Sequence, residues 1–109
     1  MIQVTVFRDS HNLCRGIELE GHANFGESGT DIICAAVSAL AVNTVNSIEA
    51  FTDDAFTGET GETDGYLSFH LTGDISGESK LLMEALILGL QNIREAYGAE
   101  YINIRSKEV

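Results

Sequence analysis

A cysteine and a histidine are spaced in this sequence so that they could act together as nucleophile and base. Cys34 follows Asp31, a favoured helix N-cap residue, by three positions, which predicts that it lies in the first turn of a helix. Helix N-termini and a neighbouring imidazolium lower a cysteine pKa from about 8.5 into a range of roughly 3.5–7.5. The sequence therefore predicts a lowered pKa for Cys34, as a nucleophilic thiol requires.

His22 lies 12 residues before Cys34, at the predicted end of a strand. A strand end and the next helix start can meet at one edge of a sheet, which would bring the imidazole within hydrogen-bond reach of the sulfur. We expect the backbone N–H groups around Cys34 to form an oxyanion hole. Ser38, four residues on, shares the helix face of Cys34.

Each of these residues also has a plainer interpretation. A cysteine in an alanine-rich helix is often a small apolar core residue, and a histidine at a strand end is often solvated or capping. Asp31 can be an N-cap and nothing more, and Ser38 can bond back to its own helix. Spacing alone therefore indicates a thiol–imidazole pair without fixing an activity.

Hydrophobic periodicity predicts the elements that would position this pair. Apolar and polar residues alternate over 2–8, 16–22 and 66–71, and the first two of these strands are expected to pair as a hairpin. The segment 56–63 is a weak strand by propensity and is predicted because the Asp64-Gly65 turn signal requires a second arm for its hairpin. Apolar residues recur at helical spacing in the two predicted helices, which begin after Asp31 and Ser76. The fold class is α+β, one domain over 1–109, with two helices on one face of a mostly antiparallel sheet. The predicted order is strand-strand-helix-strand-strand-helix-strand, with strands over 2–8, 16–22, 56–63, 66–71 and 101–105 and helices over 32–51 and 77–97.

The two helices differ in how their apolar residues are distributed. The first half of the first helix is apolar on nearly every side, so we expect it to be buried. The second helix carries Leu81, Ile87 and Leu88 away from its main stripe. These residues could cover a larger core or a contact between two copies, and we expect a homodimer.

The charge of the chain limits its partners. Six Lys and Arg residues against 17 Asp and Glu give a net charge of −11, and no basic residue occurs between Arg15 and Lys80. Direct nucleic-acid binding is disfavoured because its affinity comes largely from Lys and Arg neutralising phosphates. A cationic partner fits better, although acidic residues also serve plain solubility.

No metal, cofactor or membrane is expected from the sequence. His11, His22, His70 and the two cysteines lack the paired spacing of a zinc site. The longest nearly apolar run, Ile32 to Val42, is 11 residues, too short to span a bilayer. We expect a cytoplasmic protein, in which a disulfide between Cys14 and Cys34 is disfavoured.

A longer run of residues resembles a known family. The segment Gly21-His22-Ala23, followed by Gly29-x-Asp31-Ile32-Ile33-Cys34-Ala35-Ala36-Val37-Ser38, resembles the ribosomal-processing cysteine proteases of Firmicutes, the Prp family. This resemblance implies removal of the N-terminal extension of a basic large-subunit ribosomal protein, with a cut after Phe-Phe and before Ala-Ser and a Lys-rich sequence. It implies Cys34 as nucleophile, His22 as proton acceptor and donor, Asp31 and Ser38 as supporting residues, and no cofactor.

The resemblance also makes a peptide-binding slot an expectation. Gly21, Phe25 and Tyr66 are the candidates to contact substrate, and the loop from Gly21 to Gly29 could open to admit an extended peptide. Two other functions stay open. One is a thiol redox or peroxide-sensing protein, which also uses a low-pKa cysteine. The other is a non-enzymatic acidic module that binds basic ribosomal proteins.

Overall fold

A computed structural model describes residues 1–23, 31–61 and 65–109 of the chain. Its elements follow the predicted order, and Asp31 and Ser76 cap the two helices as expected. The elements are β1 (Ile2–Arg8), β2 (Cys14–Glu20), α1 (Ile32–Phe51), β3 (Phe56–Gly61), β4 (Tyr66–Leu71), α2 (Gly77–Tyr97) and β5 (Ile102–Glu108).

The five strands form one mixed sheet in the order β3-β4-β2-β1-β5. Pairs β1–β2, β2–β4 and β3–β4 are antiparallel, which confirms the mostly antiparallel sheet. The last strand instead runs parallel to β1, pairing Ile2 with Ile102 and Val4 with Ile104. A parallel pair needs a crossover connection between its strands, and α2 immediately precedes β5.

The hairpin between β1 and β2 is closed by a polar turn. Oδ1 of Asp9 accepts hydrogen bonds from the backbone N–H groups of His11 at 2.8 Å and Leu13 at 3.1 Å. The second strand then ends at Glu20, so His22 lies two residues beyond β2. The prediction that this strand continues to His22 is therefore wrong, because Gly21 has a positive φ of 91° and turns the chain away.

One face of the sheet packs against both helices. Val4 and Val6 of β1 pair with Leu19 and Ile17 of β2, and all four side chains are buried on that face. Residues along one stripe of each helix complete the core. They are Ile33, Val37, Ala41, Thr44 and Ile48 of α1 and Ser79, Met83, Leu86, Ile87 and Leu90 of α2.

Helix α1 is less buried than its composition predicts. Ile32 is 53% exposed and Val42 47% exposed, because a helix lying on a sheet with one helix beside it contacts neighbours along a limited stripe. By length and composition alone, α1 could also cross a membrane, so the 11-residue estimate understated its apolar length. One such helix is weak evidence for a membrane span, because the core helix of a soluble protein meets the same criteria. In α1, the stripe from Ile33 to Ile48 packs into the core.

The apolar residues of α2 that lie away from its main stripe divide between core and surface. Ile87 is buried, whereas Leu81 and Leu88 are 71% and 57% exposed. A contact between two copies through Leu81 and Leu88 stays a prediction.

Candidate active site

The chain leaves β2 through a conformation that only glycine tolerates well. A Cβ on Gly21 would lie 2.6 Å from the carbonyl oxygen of Met1, in addition to the strain of its positive φ. Gly65 also has a positive φ, of 58°, and a Cβ there would lie 2.6 Å from the Gly21 carbonyl oxygen and 3.1 Å from Cε1 of His22. The β3–β4 end of the sheet therefore approaches the backbone next to His22 at close range.

Asp31 fixes the first turn of α1. Its Oδ1 accepts hydrogen bonds from the backbone N–H of Ile33 at 3.1 Å and of Cys34 at 3.0 Å, while its carbonyl oxygen accepts from Ala35 at 3.1 Å. Cys34 therefore lies in the first turn, as predicted. The three N–H groups already have acceptors, however, so the expectation that those around Cys34 form an oxyanion hole is not supported.

The Cys34 thiol contacts groups from both ends of the connecting loop. Its Sγ lies 3.1 Å from Oδ2 of Asp31, to which the thiol donates, and accepts from the backbone N–H of Ala23 at 3.2 Å. Nδ1 of His22 is 4.0 Å from Sγ, at the outer limit of a hydrogen bond to sulfur. Folding thus brings His22 to Cys34, and it places the Asp31 carboxylate closer still.

These contacts set the protonation state of the thiol. Burial is the main cause that raises the pKa of Cys34 above its ordinary value; the Ala23 N–H opposes this, and the Asp31 carboxylate raises the pKa further. The prediction of a lowered pKa is therefore wrong for this arrangement. The helix N–H groups that would stabilise a thiolate donate to Asp31, whose other oxygen carries negative charge beside the sulfur.

Replacing Asp31 with Asn should lower the pKa of Cys34. Asparagine still caps a helix, but it removes the negative charge beside the thiol, so the thiolate fraction at neutral pH rises. We expect alkylation by iodoacetamide to become several-fold faster below the thiol pKa, measured as rate against pH by intact mass. A midpoint that stays in place or moves upward would contradict this account, and thermal unfolding of both proteins checks that the cap is retained.

Cys34 opens onto a cavity of about 280 Å³ between α1 and the β3–β4 end of the sheet. Four more residues that the sequence indicated as site candidates also line this cavity: Gly21, His22, Ser38 and Tyr66. Ser38 is exposed on the face of α1 that carries Cys34. Phe25, the remaining substrate-contact candidate, lies outside the described residues, as does most of the loop from Gly21 to Gly29.

Tyr66 borders this cavity but directs its hydroxyl elsewhere. The hydroxyl donates to Oε1 of Glu18 at 3.4 Å, on the sheet face opposite the helices. This geometry makes Tyr66 part of the cavity wall, with its polar end bound to β2.

The other candidate nucleophile and metal ligands lie away from this site. Cys14 is a buried free thiol that donates to the Gly16 carbonyl oxygen at 3.5 Å, and Cys34 is also free. His70 packs against Phe7 in a tilted arrangement, with ring centroids 5.0 Å apart. Within residues 1–23, 31–61 and 65–109, no cluster of three or more His, Cys, Asp or Glu side chains could hold a metal ion.

Two features of the site were not identified from the sequence. Ala23 donates its backbone N–H to Cys34 Sγ, and a backbone contact of this kind cannot be predicted from the type of side chain. Gly65 was recognised as a hairpin glycine, but its contact with the residues beside His22 depends on how β4 pairs with β2. Both features follow from tertiary structure.

Comparisons with known proteins identify relatives of this chain. A family model described as cysteine protease Prp matches residues 1–103. The chain is 33% identical over 101 residues to the ribosomal processing cysteine protease Prp of Bacillus subtilis, a match covering 89% of this chain and 90% of the relative. Two crystal structures of the Prp protease from Staphylococcus aureus are also similar. The one with a covalently linked product peptide has a TM-score of 0.92 at 28% identity, and the one with a substrate peptide has 0.87 at 27%; each match covers 98% of this chain and 100% of the other.

Proposed function

Because this chain belongs to the Prp family of cysteine proteases, we propose that it removes the N-terminal extension of a large-subunit ribosomal protein, with Cys34 as nucleophile and His22 as its base. The cut falls after Phe-Phe and before Ala-Ser. The observation that carries this proposal is the approach of His22 Nδ1 to within 4.0 Å of Cys34 Sγ at the wall of a cavity of about 280 Å³.

The reaction begins with proton transfer from the thiol. Cys34 first leaves its contact with Asp31, and a small movement of the exposed His22 ring shortens the 4.0 Å separation to hydrogen-bond length. His22 takes the Sγ proton, and the thiolate attacks the carbonyl carbon of the scissile bond. Asp31 then faces an imidazolium as well as the reacting sulfur, and its negative charge stabilises that cation.

The developing oxyanion needs a hydrogen-bond donor beside the sulfur. The Ala23 N–H donates to Sγ at 3.2 Å, and it is released from the sulfur as the C–S bond forms, whereas the three N–H groups of the helix cap stay bound to Asp31. We assign it this role in place of the helix start. Collapse of the intermediate breaks the C–N bond, His22 protonates the leaving amine, and water hydrolyses the thioester to free Cys34.

A covalent product complex in a relative supports this scheme. The Staphylococcus aureus protease has been crystallised with a covalently linked product peptide, and its fold matches this chain with a TM-score of 0.92. We propose that Cys34 forms the corresponding bond here. No metal or organic cofactor takes part in the steps proposed.

The acidity of the chain suits the proposed substrate. A net charge of −11 favours encounter with a Lys-rich ribosomal protein segment and disfavours direct contact with ribosomal RNA.

We propose that processing takes place in the cytoplasm and that the enzyme acts as a homodimer, with Leu81 and Leu88 covered by the second copy.

Cleavage of a defined peptide tests the function. We expect the purified protein to cut a peptide containing Phe-Phe-Ala-Ser-Lys-Lys between Phe and Ala, detected by mass spectrometry of both products. A peptide of the same composition in scrambled order is the control. Cutting both peptides equally, or neither one, would contradict the proposed specificity.

A further inference from the structure

A second cavity lies beside the first, farther along the groove between α1 and the edge of the sheet. Its volume is about 310 Å³. Most of its lining is apolar, and no catalytic role is assigned to any residue around it. The lining residues are Val42, Val45 and Asn46 of α1, Phe56, Gly58, Glu59 and Thr60 of β3, and Leu67, Ser68 and Phe69 of β4.

The cavity exists because one inward position of β3 lacks a side chain. Gly58 pairs with Phe69 and shares with Phe56 and Thr60 the strand face directed towards α1. A Cβ on Gly58 would have one close neighbour, the Ser68 carbonyl oxygen at 3.4 Å, which is an ordinary contact. The glycine is therefore not required by crowding, and the space above it is open to a side chain from elsewhere.

The two cavities are adjacent. Val42, Thr60 and Leu67 line both of them. Along α1, Val45 is 11 residues beyond Cys34, which corresponds to about 16 Å at the helical rise. An extended peptide covers about 16 Å in roughly five residues, so a chain with its scissile bond at Cys34 would reach the second cavity four or five residues away.

The sheet edge beside this groove can guide such a chain. In the described sheet, β3 is an edge strand that pairs with β4 alone. An edge strand offers N–H and C=O groups to an extended peptide, which then directs alternate side chains to one face. On β3 that face is directed towards α1 and the second cavity.

We propose that this second cavity is a distal specificity subsite, which binds an apolar side chain of the substrate peptide four or five residues from the scissile bond. The inference rests on the proposed peptidase function and adds a recognition position away from the catalytic pair. The substrate backbone runs along β3 between the two cavities, and an aliphatic side chain fills the space left by Gly58.

Two variants of β3 and a set of peptides test the subsite. Gly58→Leu fills the cavity, and Thr57→Leu places the same side chain on the opposite face of the strand as the control. The peptides extend the Phe-Phe-Ala-Ser-Lys-Lys core with Ser and Gly and carry a single Leu, moved from the third to the seventh position on either side of the cut. Cleavage gives kcat/KM, and fluorescence anisotropy with each protein in a Cys34→Ala background gives Kd without cleavage.

We expect one peptide, with Leu at the fourth or fifth position, to have a kcat/KM about ten-fold higher and a Kd about ten-fold lower than the peptide with Ser at that position. Gly58→Leu should abolish that gain and Thr57→Leu retain it, while all three proteins cut the unextended core equally. A gain that survives in Gly58→Leu, or no gain at any position in either measurement, overturns the subsite. Failure to cut any peptide counts against the proposed function, and the anisotropy measurement still decides the subsite.

Discussion

Cys34→Ala should reduce peptide cleavage to the background rate, a loss of at least about 10⁴-fold in kcat, since removing a nucleophile eliminates the covalent route. The alanine side chain keeps the helix position and leaves the Asp31 cap bonds to the backbone intact. Substrate affinity should change little, because the other residues that line the cavity are unaltered. Mass spectrometry of products over long incubations measures the rate, and anisotropy measures binding.

Cys14→Ala is the matched control for this prediction. Cys14 is 1% exposed, and burial is the main cause that raises its pKa above the ordinary value. This variant should keep kcat within about two-fold, at some cost in stability from the lost packing. If Cys34→Ala cleaved the peptide at a rate near that of the unaltered protein, the assignment of the nucleophile would be wrong.

His22→Asn should lower kcat by about 10²–10⁴-fold, the usual contribution of general acid–base catalysis. The amide cannot take the thiol proton or return it to the leaving amine. Because His22 is exposed and is not part of the core, we expect the variant to fold normally. Stopped-flow or quenched assays of kcat measure the effect.

Variants of His11 and Asp31 are compared with His22→Asn for their effect on kcat. His11→Asn changes an exposed histidine in the β1–β2 turn and should leave kcat unchanged.

Asp31→Asn tests whether Asp31, instead of His22, acts as the base. Asp31 Oδ2 lies 3.1 Å from Cys34 Sγ, and His22 Nδ1 lies 4.0 Å from the same atom. If kcat survived His22→Asn but collapsed in Asp31→Asn, the carboxylate would be the base and the proposed mechanism would be overturned.

The start of α1 could be predicted because it is encoded locally. Asp31 bonds to N–H groups two and three residues away, so the cap and the placement of Cys34 in the first turn depend on a few neighbouring residues. The strand pair β1–β2 was similarly predictable from alternation and intervening turn residues, and the pair β3–β4 from the Asp64-Gly65 turn signal. Such features need no information about distant parts of the chain.

The charge state of the site could not be read in the same way. The position of Cys34 near a helix N-terminus predicts a lowered pKa, but the structure raises it, because desolvation and the second oxygen of Asp31 act on the same sulfur. Burial depends on what packs above the helix start, and the orientation of one carboxylate decides whether it bonds to the helix, to the thiol or to both. Here it does both.

Local sequence patterns predicted the elements, their order and the pair of residues most able to do chemistry. Three features instead follow from long-range packing: His22 lies beyond β2 and 4.0 Å from Cys34, β5 runs parallel to β1, and Gly58 borders a second cavity adjacent to the site. The physical reason is the range of the interactions. Caps, turns and strand alternation act over a few residues, whereas the separation of His22 and Cys34, and the space above Gly58, depend on the packing of α1 against the sheet.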